Sequence, residues 1–279
     1  MNRFRLCAKI GLFLFLLSLF SCFNAKKSNA DDMANDMADS SNIVEVKNSV
    51  SIIMRNAELP IGLSEKIGAA AVLNSAFFDA LRRCLEEDRH LRELVDKRHP
   101  LPQGYVAADL VTLTGEGPYK VSRAGLMLRR DAAVSLREMA AAARADGVTL
   151  VASSAYRSHD YQVQVYNRIV GEMGQEAADR ESARPGHSQH QTGLVVDFGS
   201  IDDSFALTRA GRWMAANASR FGWSLSFPDG YEAVTGYRWE SWHYRYTGKN
   251  LAAFIDAYFD GIQQYALRFI HEWEQLNEG

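Results

Sequence analysis

An aspartate sits inside a run whose other members are all apolar, Leu194-Val195-Val196-Asp197-Phe198. A short apolar, β-branched run bounded by turn-forming residues predicts a buried strand. An ionised carboxylate carried into the interior without a partner costs several kcal/mol. Any fold for this chain must therefore bury this strand and bring something cationic to Asp197. A metal ion is one natural answer.

The flanking sequence adds candidates. ARPGHSQHQTG (183–193) is a loop by its Pro and Gly content, and it places His190 seven positions before Asp197. Further on, Glu240 precedes His243 by three positions, beside Trp239 and Trp242. Of the seven histidines, four (His159, His187, His190 and His243) fall between 159 and 243. Zinc favours imidazole nitrogen and carboxylate oxygen, and hydrolytic sites use three protein ligands with a fourth place kept for water. Two imidazoles and one carboxylate meet that requirement, and a nearby carboxylate that is not a ligand, Glu240, suits proton transfer. Such spacings also arise by chance, so by themselves they leave the metal site open. Trp242 is assigned as a pocket-lining side chain, although aromatic residues flanking a strand are equally at home in a core. His187 is expected to hydrogen-bond within its loop, His159 to lie near a helix start, and His90, His99 and His271 to lie at the surface.

The rest of the chain reads as helices and short strands in mixed order. Ile67, Leu73, Phe77, Leu81, Leu85, Leu91, Leu94 and Val95 have helical spacing. Arg130 to Ala145 predicts a helix with Val134, Leu136, Met139 and Ala143 inward, closed by Gly147. Val148 to Ala152 predicts a strand, Asp160 to Met173 a helix and Glu176 to Ser182 an extra turn. Thr208 caps a helix running to Arg220 and stopped by Gly222. Arg238 to Tyr246 predicts a strand, and Leu251 to Leu276 one long amphipathic helix. This order argues for α+β, with a small, mostly antiparallel sheet flanked by helices and extra N-terminal and C-terminal helices.

Three blocks carry a resemblance: SAYRS (154–158) with Tyr161-Gln162, PGHSQHQTGLVVDF (185–198) and WESWHYRYTG (239–248). In that order they resemble the VanY-type D-alanyl-D-alanine carboxypeptidases, a family that includes L,D-carboxypeptidases of the bacterial cell wall. Its two patterns, S-x-H-x-x-G-x-x-x-D and E-x-x-H, read here Ser188 to Asp197 and Glu240 to His243. The similarity covers roughly residues 94–250. It implies zinc (Zn2+) on His190, Asp197 and His243, with Glu240 as acid and base. It implies that Arg157 contacts the substrate, to which a planar guanidinium fork is suited, and that Gln162 and Ser188 contact the substrate's C-terminal end. The implied reaction removes the terminal D-alanine from peptidoglycan stem peptides, by a D,D- or an L,D-cut; a wall-remodelling role favours L,D. A D,D-endopeptidase of crosslinks and a catalytically inactive wall-binding module are the alternatives.

The N-terminus addresses location. Arg3, Arg5 and Lys9 precede an uncharged run of 14 residues, Ile10 to Phe23, short for a membrane span and fitting an export signal. Leu19-Phe20-Ser21-Cys22 resembles a bacterial lipoprotein signal, which would anchor the exported chain in the cell envelope at Cys22. Cleavage after Ala30 and an uncleaved anchor are the other outcomes. Removing the first 21 residues takes three positive charges and no acid, moving the net charge from −3 to −6. No basic surplus remains for a phosphate backbone, which argues against nucleic-acid partners. With Cys7 in the signal and Cys22 lipidated, Cys84 stands alone and is expected to be a small buried hydrophobe. The expected organisation is signal 1–22, flexible tether 23–60, helical segment 61–98, zinc carboxypeptidase domain 99–250 and C-terminal helix 251–279, in a monomer.

Overall fold

The structure is a computed structural model that describes residues 47–73 and 75–278. The expected signal and most of the expected tether lie outside the described residues. The helices, in chain order, are α1 (47–56), α2 (Ile61–Leu73), α3 (Ser75–Glu86), α4 (Arg130–Ala145), α5 (His159–Met173), α6 (Gln175–Glu181), α7 (Arg209–Asn217), α8 (Glu232–Thr235), α9 (Lys249–Tyr258) and α10 (Gln263–Glu278). The strands are β1 (Leu110–Thr112), β2 (Lys120–Val121), β3 (Met127–Arg129), β4 (Val151–Ser154), β5 (Val195–Phe198), β6 (Trp223–Leu225) and β7 (His243–Tyr246). Five strands form one sheet in the order β2-β4-β5-β7-β6, antiparallel except for the β2–β4 pair, while β1 and β3 pair antiparallel on their own. The α+β expectation holds. Among the described residues, no helix is long and apolar enough to cross a membrane.

The described residues divide into two compact units, those up to residue 78 together with those from 268 onward, and residues 79–267. In the first, Phe77 packs edge-on against both Phe78 and Phe269, and Phe269 stacks on Trp273. Residues 47–56, expected as part of a tether, are helical. Val50, Ile53, Met54 and Ala57 recur at the spacing of one helix face and are all buried. The polar residues between them mask that stripe in a composition-based reading.

The second unit holds the sheet. Its core gathers Leu136, Met139, Ala140 and Ala143 of α4 with Ala152, Val196, Phe198, Trp223 and Tyr244 from four strands. The inward stripe of α4 differs from expectation at one position. Val134 is exposed and Ser135 is buried, its hydroxyl donating to the Phe221 carbonyl at 2.6 Å. The α7 start is as expected, with the Thr208 hydroxyl accepting from the Gly211 amide at 2.9 Å, and a 3-10 turn then carries the chain to Gly222.

Two regular elements are shorter than predicted. The single C-terminal helix is two, α9 and α10, because Asp260 and Gly261 both adopt positive φ (54° and 76°), which ends a right-handed helix. The strand expected from Arg238 is confined to His243–Tyr246; before it, Arg238 turns its guanidinium to Glu181 and Asp203. The edge strands β1, β2, β3 and β6, only two or three residues long, carried no periodic signal.

Candidate metal centre

The site grows from the alternation of a strand. In β5, Val196 and Phe198 join the core, so Val195 and Asp197 point to the opposite face. In β7, Tyr244 joins the core, which puts His243 and Arg245 on that same opposite face. The register sets Asp197 directly across from His243. His190 comes from the 3-10 turn Gln189–Thr192, which ends at Gly193. A Cβ at Gly193 would lie 3.0 Å from both Arg129 and Leu110 side chains at a φ of +75°, so glycine suits the corner that leads into β5 and a side chain there would be strained.

His190, Asp197 and His243, all buried, each offer one ligand atom within 4.8 Å of the others. The His190 Nε2 and His243 Nδ1 atoms both lie 3.2 Å from an Asp197 oxygen, and the rings sit edge-on with centroids 4.9 Å apart. The imidazoles present opposite nitrogens because their other nitrogens are engaged. His190 Nδ1–H donates to the Ala155 carbonyl at 2.7 Å, and His243 Nε2–H donates to Gln189 Oε1 at 3.3 Å. Gln189 Oε1 also accepts from Ser226 Oγ at 2.7 Å, fixing the amide behind the ring. Bonds of this kind set the tautomer of a metal-ligating histidine.

Burial pushes His190 down to about 4. Burial also disfavours charge on His243, but Asp197 and Glu240 outweigh it and raise that imidazole to about 9. Asp197 is held well below the carboxylate range by the two rings despite its burial. The buried Asp197 carboxylate thus favours positive charge beside it on the His243 side, while burial keeps the His190 ring neutral. His190 Nε2 and Asp197 Oδ1 are buried with no hydrogen-bond partner, although they stand among convergent ligand atoms. Unsatisfied, they are costly; as donors to one cation they are satisfied, and two neutral imidazoles with one carboxylate match the zinc set.

Glu240 meets the cluster at His243, with Oε2 3.1 Å from Nδ1. Arg157 follows β4; its backbone amide donates to the His190 carbonyl at 3.2 Å, one guanidinium nitrogen donates to Gln162 Oε1 at 2.9 Å, and another lies 3.8 Å from Asp197. Gln162 is in turn held by the Ala183 carbonyl at 2.7 Å. Arg157, Ser188, His190, Glu240 and His243 line one small pocket of about 40 Å³.

Trp242, expected to line the pocket, lies in the core instead. It is 3% exposed, belongs to the core and has the Arg238 guanidinium 5.2 Å from its ring centroid. Strand alternation explains this: as the neighbour of His243, it faces the other way. The pocket's aromatic wall is instead Phe227 and Tyr237, whose ring centroids are 4.9 Å apart, with Phe227 4.6 Å from the His243 ring. Neither carried a sequence signal, since both lie in irregular segments. Gln189 was also missed, although its place inside the SQHQTG block offered a clue. His187 makes a loop hydrogen bond, donating to the Asp96 carbonyl at 2.8 Å. His159 opens α5 at the surface, whereas His90 and His99 are partly buried against Asp131 and Asp96.

A buried cluster of two imidazoles and one carboxylate, with a further carboxylate and an arginine at its rim, defines a metallohydrolase type of centre. A family profile described as VanY, D-alanyl-D-alanine carboxypeptidase, matches residues 125–249. YodJ of Bacillus subtilis (strain 168), assigned as a carboxypeptidase, is 31% identical over 210 residues, covering 69% of this chain and 77% of that protein. The LdcB LD-carboxypeptidase structure superposes with a TM-score of 0.54 at 33% identity, over 61% of this chain and 85% of that one. The D,D-pentapeptidase VanY of a VanB-type resistance cassette, solved with Zn(II), superposes at 0.53 with 30% identity, over 63% of this chain and 98% of that one. The chain belongs to the VanY-type D-alanyl-D-alanine carboxypeptidase family.

Proposed function

We propose that this carboxypeptidase is zinc-dependent and removes the terminal D-alanine from peptidoglycan stem peptides. His190, Asp197 and His243 hold the ion. The observation that carries this reading is the pair of buried atoms that make no hydrogen bond, His190 Nε2 and Asp197 Oδ1, within a cluster whose three ligand atoms lie inside 4.8 Å. Zinc in such a centre supplies a Lewis acid that polarises a carbonyl and lowers the pKa of water toward about 7. Glu240 takes the proton from the water that attacks the last peptide carbonyl and returns it to the leaving amine. Arg157, steadied by Gln162, pairs with the polarised carbonyl oxygen or the terminal carboxylate, and Ser188 adds a contact at the same end. An inactive wall-binding module would have no use for all four core residues together with Arg157.

The sequence of residues 1–30 supports export to the cell envelope, with lipid at Cys22 as membrane anchor, and the chain acts as a monomer. The test is to incubate the zinc-loaded protein with defined tetrapeptide and pentapeptide stems and to weigh the products. Loss of one D-alanine from the pentapeptide identifies a D,D-cut, and loss from the tetrapeptide an L,D-cut. Absence of both products, with zinc bound, would overturn the proposal.

A further inference from the structure

A second cavity, of about 250 Å³, adjoins the metal-centre pocket. It is lined by Lys97, Asp179, Ser182, Arg184, His187 and Tyr237. Ser182, His187 and Tyr237 line both cavities, so the two share a wall. Arg157 belongs to the first and Lys97 to the second.

The loop that carries Lys97 is pinned. The carboxylate of Asp96 accepts from the Arg98 amide at 2.8 Å, the His99 amide at 2.9 Å and Gln264 Nε2 at 2.6 Å. The aliphatic stem of Lys97 lies on Gly236, where φ is +81° and a Cβ would come within 2.8 Å of Lys97 Cδ. Its ammonium is 4.8 Å from the Tyr237 ring centroid. Lys97 is exposed, but its stem and ammonium each lie against a neighbour, Gly236 and the Tyr237 ring.

The charges around it are already matched elsewhere. Asp179 and Glu232 are acids whose charges act on Lys97. Asp179 is gripped by the Arg184 fork at 3.0 and 2.8 Å and by the Tyr166 hydroxyl at 2.7 Å. Glu232 is gripped by the Arg180 fork at 2.5 and 2.8 Å. Among the described residues, Lys97 makes no ion pair. On the same wall, the Tyr237 hydroxyl is buried with no hydrogen-bond partner, and its residue is 5% exposed. Buried hydroxyls are normally paired, because an unmet donor keeps its full desolvation penalty.

A positioned ammonium and an unpaired hydroxyl donor beside one cavity are complementary to one chemical group, a carboxylate. We propose that the second cavity is a carboxylate subsite, in which Lys97 and Tyr237 bind an acidic group that the substrate peptide carries upstream of the cleaved bond. This assignment rests on the reading that Arg157 and the metal centre take the peptide's C-terminal end, which leaves the adjoining cavity to an earlier residue. The subsite sets specificity and takes no part in bond cleavage.

The experiment compares two peptides that differ only upstream of the scissile bond, one with a free carboxylate and one with the corresponding carboxamide. Binding of each to the full chain is measured by calorimetry, and KM and kcat by product mass. Wild type should favour the acid, and K97Q should lose about tenfold of that preference in Kd and in KM, the size of one charge-assisted contact. K97R should keep most of the preference, and Y237F should lose part of it. Equal weakening of both peptides in K97Q would make Lys97 a packing residue and overturn the proposal, as would a wild type indifferent to the acid. If wild type binds the acid through Lys97 but cleaves neither peptide, the subsite stands and the carboxypeptidase reading falls.

Discussion

Asp197 and His243 face each other across adjacent antiparallel strands, in register, with the imidazole Nδ1 3.2 Å from the carboxylate. Each strand has its preceding residue, Val196 or Trp242, in the core. A one-residue slip between β5 and β7 would break the facing pair and send one member of it into the core. The sheet register and the candidate metal centre are therefore one constraint. Several expected outcomes follow from this coupling and from the groups around it.

Zinc retention separates ligands from the proton carrier. D197A and H190A should lose stoichiometric zinc, read by elemental analysis after gel filtration. E240A should keep zinc while turnover falls about 100- to 10,000-fold, the usual contribution of a general acid–base group. Loss of metal in E240A would make Glu240 a ligand.

Gln189 acts through His243. Q189L removes the oxygen that accepts from His243 Nε2 and from Ser226, with little change in volume. Zinc affinity, measured by competition with a chelator, should fall about 10- to 100-fold. Unchanged affinity would show that the ring is held by its packing on Phe227 alone.

Arg157 contributes geometry as well as charge. It holds Gln162 with one nitrogen and lies beside Asp197 with another. R157K keeps the charge and loses the fork, so kcat/KM should fall by about tenfold or more while zinc stays bound. Near-normal kcat/KM would remove Arg157 from substrate contact.

Trp242 tests the corrected assignment. As a core side chain, its truncation in W242A should cost about 3–5 kcal/mol in urea unfolding, with W242F costing much less. A wild-type unfolding curve with a raised KM would return Trp242 to the pocket.

Asp96 gives a pH dependence with a fixed sign. Burial would raise its carboxyl, but the Arg98 amide and the His99 contacts outweigh burial and hold it below its ordinary value. A depressed folded value contributes stability that is present above the unfolded pKa, about 3.9. That contribution is lost as pH falls through the lower folded value. The stability difference between wild type and D96N should accordingly be constant near neutrality and shrink below about pH 4 in denaturant titrations. A difference that does not change with pH would mean the carboxylate's charge contributes nothing.

What the sequence determined by itself is local and chemical. The acid inside Leu-Val-Val-Asp-Phe demanded a buried strand and a cation, the α4 stripe showed in its period, and Thr208 and Gly222 marked a helix start and a stop. The candidate ligands His190, Asp197 and His243 were legible through the family resemblance, since their residue types suit a metal but their spacing by itself left the site open. Tertiary structure alone decided which side of a strand each neighbour faces, and so moved Trp242 into the core and brought Phe227 and Tyr237 to the pocket. It also decided where helices end: Asp260 turns left-handed in a stretch whose apolar spacing continues unbroken. Two- and three-residue strands such as β2 and β6 carry too few residues to show a period, and only their pairing within the sheet holds them extended. Gln189 and Lys97 belong to the same class, ordinary polar residues whose roles arise from what lies across from them in space.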